Sequence, residues 1–195
     1  MNGKPLTTEH GFPVRVVTPG IAGARAVKWL DRITVQDTES SNHYQQRDYK
    51  ILPPEATDSE AAEKFWDTTP ALQTMPVNSV IALPQPGDTV SRTAEGMITV
   101  KGYALPSGDG GPVVKVEVST DCEKWQEAEL IPHPDDSKWS WKLWKAQVKV
   151  EEGQNKTIYS RATDSSGATQ EEQSQWNLRG VGYNGYGLAD ELTIA

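Results

Sequence analysis

The sequence predicts a mainly β protein, an antiparallel β-sandwich running from about Met75 onward behind an irregular, polar N-terminal stretch. Three observations carry this reading. Apolar residues recur with period two: Ile98 and Val100 fall between Met97, Thr99 and Lys101, and Val114, Val116 and Val118 between Lys115, Glu117 and Ser119. Turn residues such as Pro86-Gly87 and Ser107–Gly111 punctuate those runs. No stretch of helical periodicity interrupts them. Strands with one face in a core and one in water alternate in this way, and roughly 120 residues suit one sandwich of about seven strands. Seven tryptophans supply bulky core material.

Taken in order, the chain opens on Asn2-Gly3, a hairpin-turn signal because both central positions favour positive φ, yet only Met1 precedes it. Val14 and Val16 alternate with Arg15, and Pro19-Gly20 ends that strand; Ala24 to Leu30 supports a turn or two of helix; Arg32 to Val35 reads as a short strand. Asp37 to Asp48 is polar and irregular, with His43 and Tyr44 inside it. Pro53 to Pro70 is acidic and proline-flanked, a linker and surface cover with a short helix at Ser59 to Trp66.

Beyond Met75, strands are expected at Ser79 to Leu83, Met97 to Lys101, Val114 to Val118, around Val148 and Val150, and over Ile158, Ser160 and Ala162. A further strand covers Lys138 to Leu143. There Trp139, Trp141 and Leu143 share the core face, which leaves Trp144 on the other face as an interface anchor.

Composition narrows the function. A net charge of −8 with 24% charged residues suits a soluble intracellular protein and argues against nucleic acid as a partner. No apolar run approaches the roughly 20 residues that cross a bilayer, and neither terminus carries an addressing signal. One cysteine, Cys122, excludes an intrachain disulfide. His10, His43 and His133 are far apart and no Cys/His pair has zinc spacing, so no metal ligand is assigned. Asp135-Asp136 and Glu151-Glu152 are turn neighbours that face solvent, so no catalytic residue is assigned either. A tryptophan platform for sugars is a further reading of the Trp139 region, with core packing the favoured one.

The stretch from His10 to Trp29, HGFPVRVVTPGIAGARAVKW, has different chemistry. Gly11, Gly20, Ala22, Gly23 and Ala24 let backbone approach closely, while His10, Arg15, Arg25 and Lys28 project donors. Bare N–H groups with cationic donors at the rim make a pocket for a phosphate-bearing anion. Over residues 1–35, Lys4, Arg15, Arg25, Lys28 and Arg32 stand against Glu9 and Asp31, so this is the one basic segment of an acidic chain.

The order of these residues resembles the cofactor-binding segment of the sulfite oxidase family of molybdopterin enzymes, which includes sulfite oxidases and nitrate reductases. The match runs through His10-Gly11-Phe12-Pro13-Val14-Arg15, Pro19-Gly20 and Gly23-Ala24-Arg25, then Val27-Lys28-Trp29. It continues at Glu39-Ser40, Arg47–Lys50, Lys101–Ala104 and Trp176–Val181, covering nearly the whole chain. The resemblance implies that His10, Arg15, Ala26, Val27 and Lys28 hold Mo-molybdopterin. It also implies an immunoglobulin-like dimerisation sandwich at 71–195, preceded at 1–70 by an incomplete α+β remnant of the molybdopterin domain with its linker. In the family a Met-Asn-Gly lies inside the catalytic domain, so the chain reads as the C-terminal portion of a longer design.

The expected function is therefore that of the C-terminal part of a molybdenum oxidoreductase that converts sulfite to sulfate. This part contributes cofactor contacts and homodimerisation, or pairs with a full-length subunit, and is inactive by itself. Whether it counts as an enzyme alone is left open, because the family's metal-binding cysteine and active-site tyrosine lie upstream of the His10 segment. Cys122 reads as a turn thiol. In sulfite oxidases the loop matching Ser107–Gly111 carries an arginine for the oxyanion substrate; Gly111 stands there. That departure keeps a nitrate reductase-like fragment among the alternatives, beside a non-catalytic dimerisation or regulatory module. A mitochondrial address rests on the resemblance only.

Overall fold

The alternating segments past Met75 form a two-sheet sandwich. The computed structural model describes every residue except Asn2 and Asp135. The Asn2-Gly3 turn and the Asp135-Asp136 carboxylate pair therefore lie outside the described residues. The chain divides into two units, Met1–Met75 with Gln175–Gly182, and Pro76–Ser174 with Tyr183–Ala195.

The second unit holds β1 (Asn78–Leu83), β2 (Thr89–Val90), β3 (Met97–Leu105), β4 (Val113–Ser119), β5 (Gln126–Glu127), β6 (Glu129–Ile131), β7 (Lys142–Lys149), β8 (Gly153–Asp164) and β9 (Gly187–Ile194). One sheet has the order β1-β3-β7-β6 and the other β2-β9-β8-β4-β5. Every pairing is antiparallel except the short β2–β9 pair. Between the sheets, Ile81, Ile98, Val100, Trp144 and Val148 meet Val116, Val118, Ile158, Leu192 and Ile194 in one core. The fold is mainly β, as the period-two pattern requires, and of the immunoglobulin-like kind.

Two details differ from the sequence reading. In β4 the pairing with β8 shifts between Val113 and Lys115, a bulge that inserts one residue and reverses the side chains before it. Val113 is thus buried and Val114 is 51% exposed, while Val116 and Val118 stay in the core. The larger correction concerns β7. The strand begins only at Lys142 and its inward phase is Trp144, Ala146, Val148. Trp144 is 1% exposed; Trp141 is 60% exposed and Leu143 57%. Trp141 and Leu143, expected in the core, face solvent, Trp139 is half-buried ahead of the strand, and the residue expected at an interface fills the core.

Gly102 is the physical reason. It pairs with Trp144 across β3 and β7, and a Cβ placed on it would sit 2.3 Å from the Trp144 ring and 2.0 Å from the Val80 carbonyl oxygen. The indole occupies the space that a side chain at 102 would fill.

The first unit has far less regular structure. Its α-helices are single turns, α1 (His43–Gln46) and α2 (Ser59–Ala62). The Asn42 side chain accepts the Tyr44 N–H at 2.9 Å and the Asp58 side chain accepts the Ala61 N–H at 2.8 Å, as N-caps do. The helix expected through Trp66 stops at Ala62. Leu52, Ala56, Ala62 and Trp66 form a small core with Phe65 and Leu178 packed against it. Neither of the strands expected at 14–17 and 32–35 is formed. Val16 donates to Val27 at 2.9 Å and Leu30 to Val14 at 3.0 Å, too short a ladder to make a sheet. Ile33 and Val35 are solvent-exposed.

Candidate functional site

The basic segment folds around one tight turn. Thr8–His10 form a single 3-10 turn closed by Gly11 at φ 106°. A Cβ at Gly11 would lie 3.0 Å from Lys28 Cβ, so both its backbone conformation and the close approach of Lys28 favour glycine. Lys28 Nζ donates to the Glu9 carbonyl at 2.8 Å, Arg15 to the His10 carbonyl at 3.4 Å, and Trp29 Nε1 to the Thr8 carbonyl at 2.8 Å. Carbonyls of one turn thereby gather His10, Arg15 and Lys28 into one cluster. His10 Nδ1 lies 2.6 Å from Thr7 Oγ1, which leaves Nε2 as the ring nitrogen for a ligand.

Ala26 and Val27 follow a second 3-10 turn, Gly23–Arg25. Their N–H groups donate locally, Ala26 to Gly23 at 3.1 Å and Val27 to Arg25 at 3.0 Å. They shape the segment that delivers Lys28. The Glu9 carboxyl at the rim is held below the usual carboxylate range, first by its own backbone N–H and then by the Thr7 hydroxyl. Lys28 Nζ lies 4.5 Å from the Trp29 ring centroid, a cation–π contact. An imidazole, a guanidinium and an ammonium around a glycine turn suit an anion with oxygen acceptors.

Arg25 is the departure. The sequence offers it as a projecting donor, but Nε and Nη2 donate to the Leu72 carbonyl at 3.3 Å and Nη1 to the Tyr44 carbonyl at 3.4 Å. Ala22 also donates to Gln73 at 2.8 Å and Met75 to Gly20 at 3.0 Å. The segment before Lys28 is therefore laced to residues 72–75, and Arg25 anchors that lacing. Its partners lie 47 and 19 residues away, so no local pattern marks the role. We expect Arg25→Gln to raise amide exchange of residues 26–29 by about tenfold, as loss of roughly 1–2 kcal/mol of charge-assisted hydrogen bonding implies; hydrogen exchange with peptide resolution measures it.

In the sandwich, Ser107–Gly111 is a constructed loop. Ser107 Oγ donates to Asp164 Oδ2 at 2.5 Å and accepts the Gly110 N–H at 2.8 Å, while Ser165 Oγ donates to the Gly110 carbonyl at 2.7 Å. Gly111 takes φ 86°. Cys122 sits half-buried at φ 59° in the Ser119–Lys124 turn. Burial, then the nearby Glu172 and Asp121 carboxylates, raise its thiol pKa, so it is a structural turn thiol with little thiolate character. Among the described residues no group of three or more His, Cys, Asp or Glu side chains could hold a metal ion. No helix among them is long and apolar enough to cross a membrane.

Compared with known proteins, residues 69–187 match the family described as Mo-co oxidoreductase dimerisation domain, and residues 1–44 match the oxidoreductase molybdopterin binding domain. The mitochondrial sulfite oxidase of Drosophila melanogaster is 45% identical over 95% of this chain and 34% of its own length. A nitrate reductase [NAD(P)H] of Hordeum vulgare is 38% identical over 92% of this chain and 21% of its own. The chain thus spans between about a fifth and a half of the length of the curated relatives it matches. The crystal structure of the sulfane dehydrogenase SoxCD from Paracoccus pantotrophus superposes with a TM-score of 0.73 at 24% identity, covering 97% of this chain and 49% of that one, a likeness of fold.

Proposed function

We propose a function from one premise: the chain belongs to the sulfite oxidase family of molybdopterin oxidoreductases. Residues 1–70 act as the end of a molybdopterin-binding domain with its linker, and residues 71–195 as the dimerisation domain. The reaction served is oxidation of sulfite to sulfate. The mitochondrial name of the Drosophila relative supports a mitochondrial location.

The observation that carries the cofactor assignment is the convergence of His10, Arg15 and Lys28 on the Thr8–Gly11 turn. That donor set fits molybdopterin, whose phosphate takes charge-assisted hydrogen bonds and whose ring offers nitrogen and oxygen acceptors. When bound, Mo-molybdopterin supplies the oxygen-transfer and two-electron chemistry. This chain's residues bind and orient. Arg15, Lys28 and His10 would donate to the phosphate and ring of the pterin, and Ala26 and Val27 shape the backbone that presents Lys28.

Titration of the chain with a pterin monophosphate, followed by tryptophan fluorescence, tests this. Trp29 is 55% exposed and adjoins Lys28. We expect saturable binding that Arg15→Ala and Lys28→Ala each weaken about tenfold, roughly 1.4 kcal/mol. Absent binding, or equal binding by all three proteins, overturns the assignment. Metal analysis and a sulfite-dependent electron-acceptor assay on these 195 residues alone are expected to show neither tight molybdenum nor turnover.

The match of the dimerisation family to residues 69–187 favours a second reading, a non-catalytic module that pairs with other subunits of the family. Full pterin-independent behaviour together with dimerisation would select it.

A further inference from the structure

Three separate stretches of the first unit enclose a cavity of about 500 Å³. Arg47 follows α1, Glu63 follows α2, and Leu178 and Arg179 come from the 175–182 stretch. Trp66, 8% exposed, lines the cavity together with Leu178, and both belong to the small core of this unit. Small-molecule sites occupy roughly 300–1,000 Å³ and set a few charged groups against apolar walls, as this cavity does. His10, Arg15 and Lys28 do not line it, so it is distinct from the anion cluster.

Charge decides what the cavity can take. Arg47 donates from Nη1 to Glu63 at 2.9 Å, and its Nη2 lies 3.5 Å from Asp67. Arg179 is paired with Asp48. Three carboxylates therefore stand around two guanidiniums. A simple anion meets cations that are already neutralised, and a simple cation meets two guanidiniums at close quarters. A molecule that carries both charges side by side avoids both conflicts. The Arg47–Glu63 pair presents one charge of each sign in contact, and a ligand with the opposite order can lie against it with charge-assisted hydrogen bonds at both ends. Glu63 Oε1 and Arg47 Nε have no partner among the described residues.

We propose that this cavity binds an α-amino acid with an apolar side chain. The carboxylate of the ligand takes the guanidiniums of Arg47 and Arg179, and its ammonium takes the Glu63 carboxylate. Its side chain lies against Trp66 and Leu178, where burial of apolar surface adds to the ionic contacts. One carbon of such a ligand bears both charged groups, which holds them about as close together as the partners of the Arg47–Glu63 pair. The site is independent of the pterin assignment, since the two share no residue.

Isothermal titration calorimetry of the 195-residue chain with free leucine tests the site. Isocaproate, which lacks the ammonium, and isoamylamine, which lacks the carboxylate, are titrated beside it. Saturable binding of leucine is expected, with each truncated ligand weaker by about tenfold or more. Glu63→Gln should weaken leucine by about tenfold and leave isocaproate no weaker, because only the ammonium contact is removed. The Glu63 side chain is 69% exposed, so this variant should keep the melting temperature of the wild type. Lys28→Ala, in the anion cluster, should bind leucine as the wild type does. Absence of leucine binding overturns the proposal, and so does binding of isocaproate or sulfate as tight as that of leucine. Unchanged leucine binding in Glu63→Gln, or its loss in Lys28→Ala, places the ligand elsewhere and overturns the site.

Discussion

Trp144→Ala should destabilise the sandwich by about 3–5 kcal/mol, the range for removing a buried aromatic without collapse of the site. The indole is 1% exposed in the middle of the core and lies against Gly102. Backbone on β3 cannot move in to fill the hole, because β3 is tied to β1 and β7 on both sides. Trp144→Phe separates volume from polarity. The Trp144 indole N–H meets no acceptor among the described residues, and a buried unpaired donor costs about 1–3 kcal/mol. Phenylalanine loses part of the ring and that penalty together, so its net effect should stay within about 1.5 kcal/mol. Gly102→Ala should be as damaging as Trp144→Ala. Combining the two should not rescue folding, because the new methyl still meets the Val80 carbonyl oxygen. Urea unfolding followed by circular dichroism measures all four proteins. A mild Trp144→Ala protein, or rescue in the double variant, would refute the placement of the indole against Gly102.

Asp164→Ala should cost on the order of 3 kcal/mol and release the Ser107–Gly111 loop. Asp164 is 1% exposed, and its carboxylate accepts from Ser107 Oγ at 2.5 Å, Ser166 N at 2.9 Å, Ser166 Oγ at 2.6 Å and Ala168 N at 3.2 Å. Burial opposes its ionisation, but these hydrogen bonds outweigh burial and hold the carboxyl below its ordinary range. Removing the acceptor strands several donors at about 1–3 kcal/mol for each that finds no water. The sign of the pH effect follows from linkage. A carboxyl with a depressed folded-state pKa contributes stability that is present above the unfolded value, about 3.9. That contribution is lost as pH falls through the lower folded value. The stability gap between wild type and Asp164→Asn should therefore be largest near neutral pH and close progressively below about pH 4. A gap that is flat with pH would sink the ionised assignment. Hydrogen exchange at Gly110 and Gly111 should rise in Asp164→Ala ahead of the β-strand amides, since the loop is held through Ser107 and Ser165.

The His10–Lys28 cluster was legible because residue types mark it: a glycine that permits a tight turn, with His10 and Arg15 beside it and Lys28 in the same basic segment. Arg25 was misjudged because its acceptors carry no such mark. Its acceptors are carbonyls at Tyr44 and Leu72, and a carbonyl has no residue type to recognise. The strand β9 left no period-two trace. Ala189, Leu192 and Ile194 face inward, but Glu191 at φ 55° breaks the alternation.

The sequence by itself determined the mainly β class, the location of the donor cluster and membership of the family, because each is written in local periodicity or in ordered motifs. Only the tertiary structure decided which tryptophan on the Trp139–Trp144 run is core and which faces out. Both alternations place bulky apolar residues on one side of the strand, so hydrophobicity cannot choose between them. The choice was made by Gly102 on β3, whose missing side chain leaves room for one indole, at position 144. Packing against a distant strand fixed the register, and the register exposed Trp141 and Leu143.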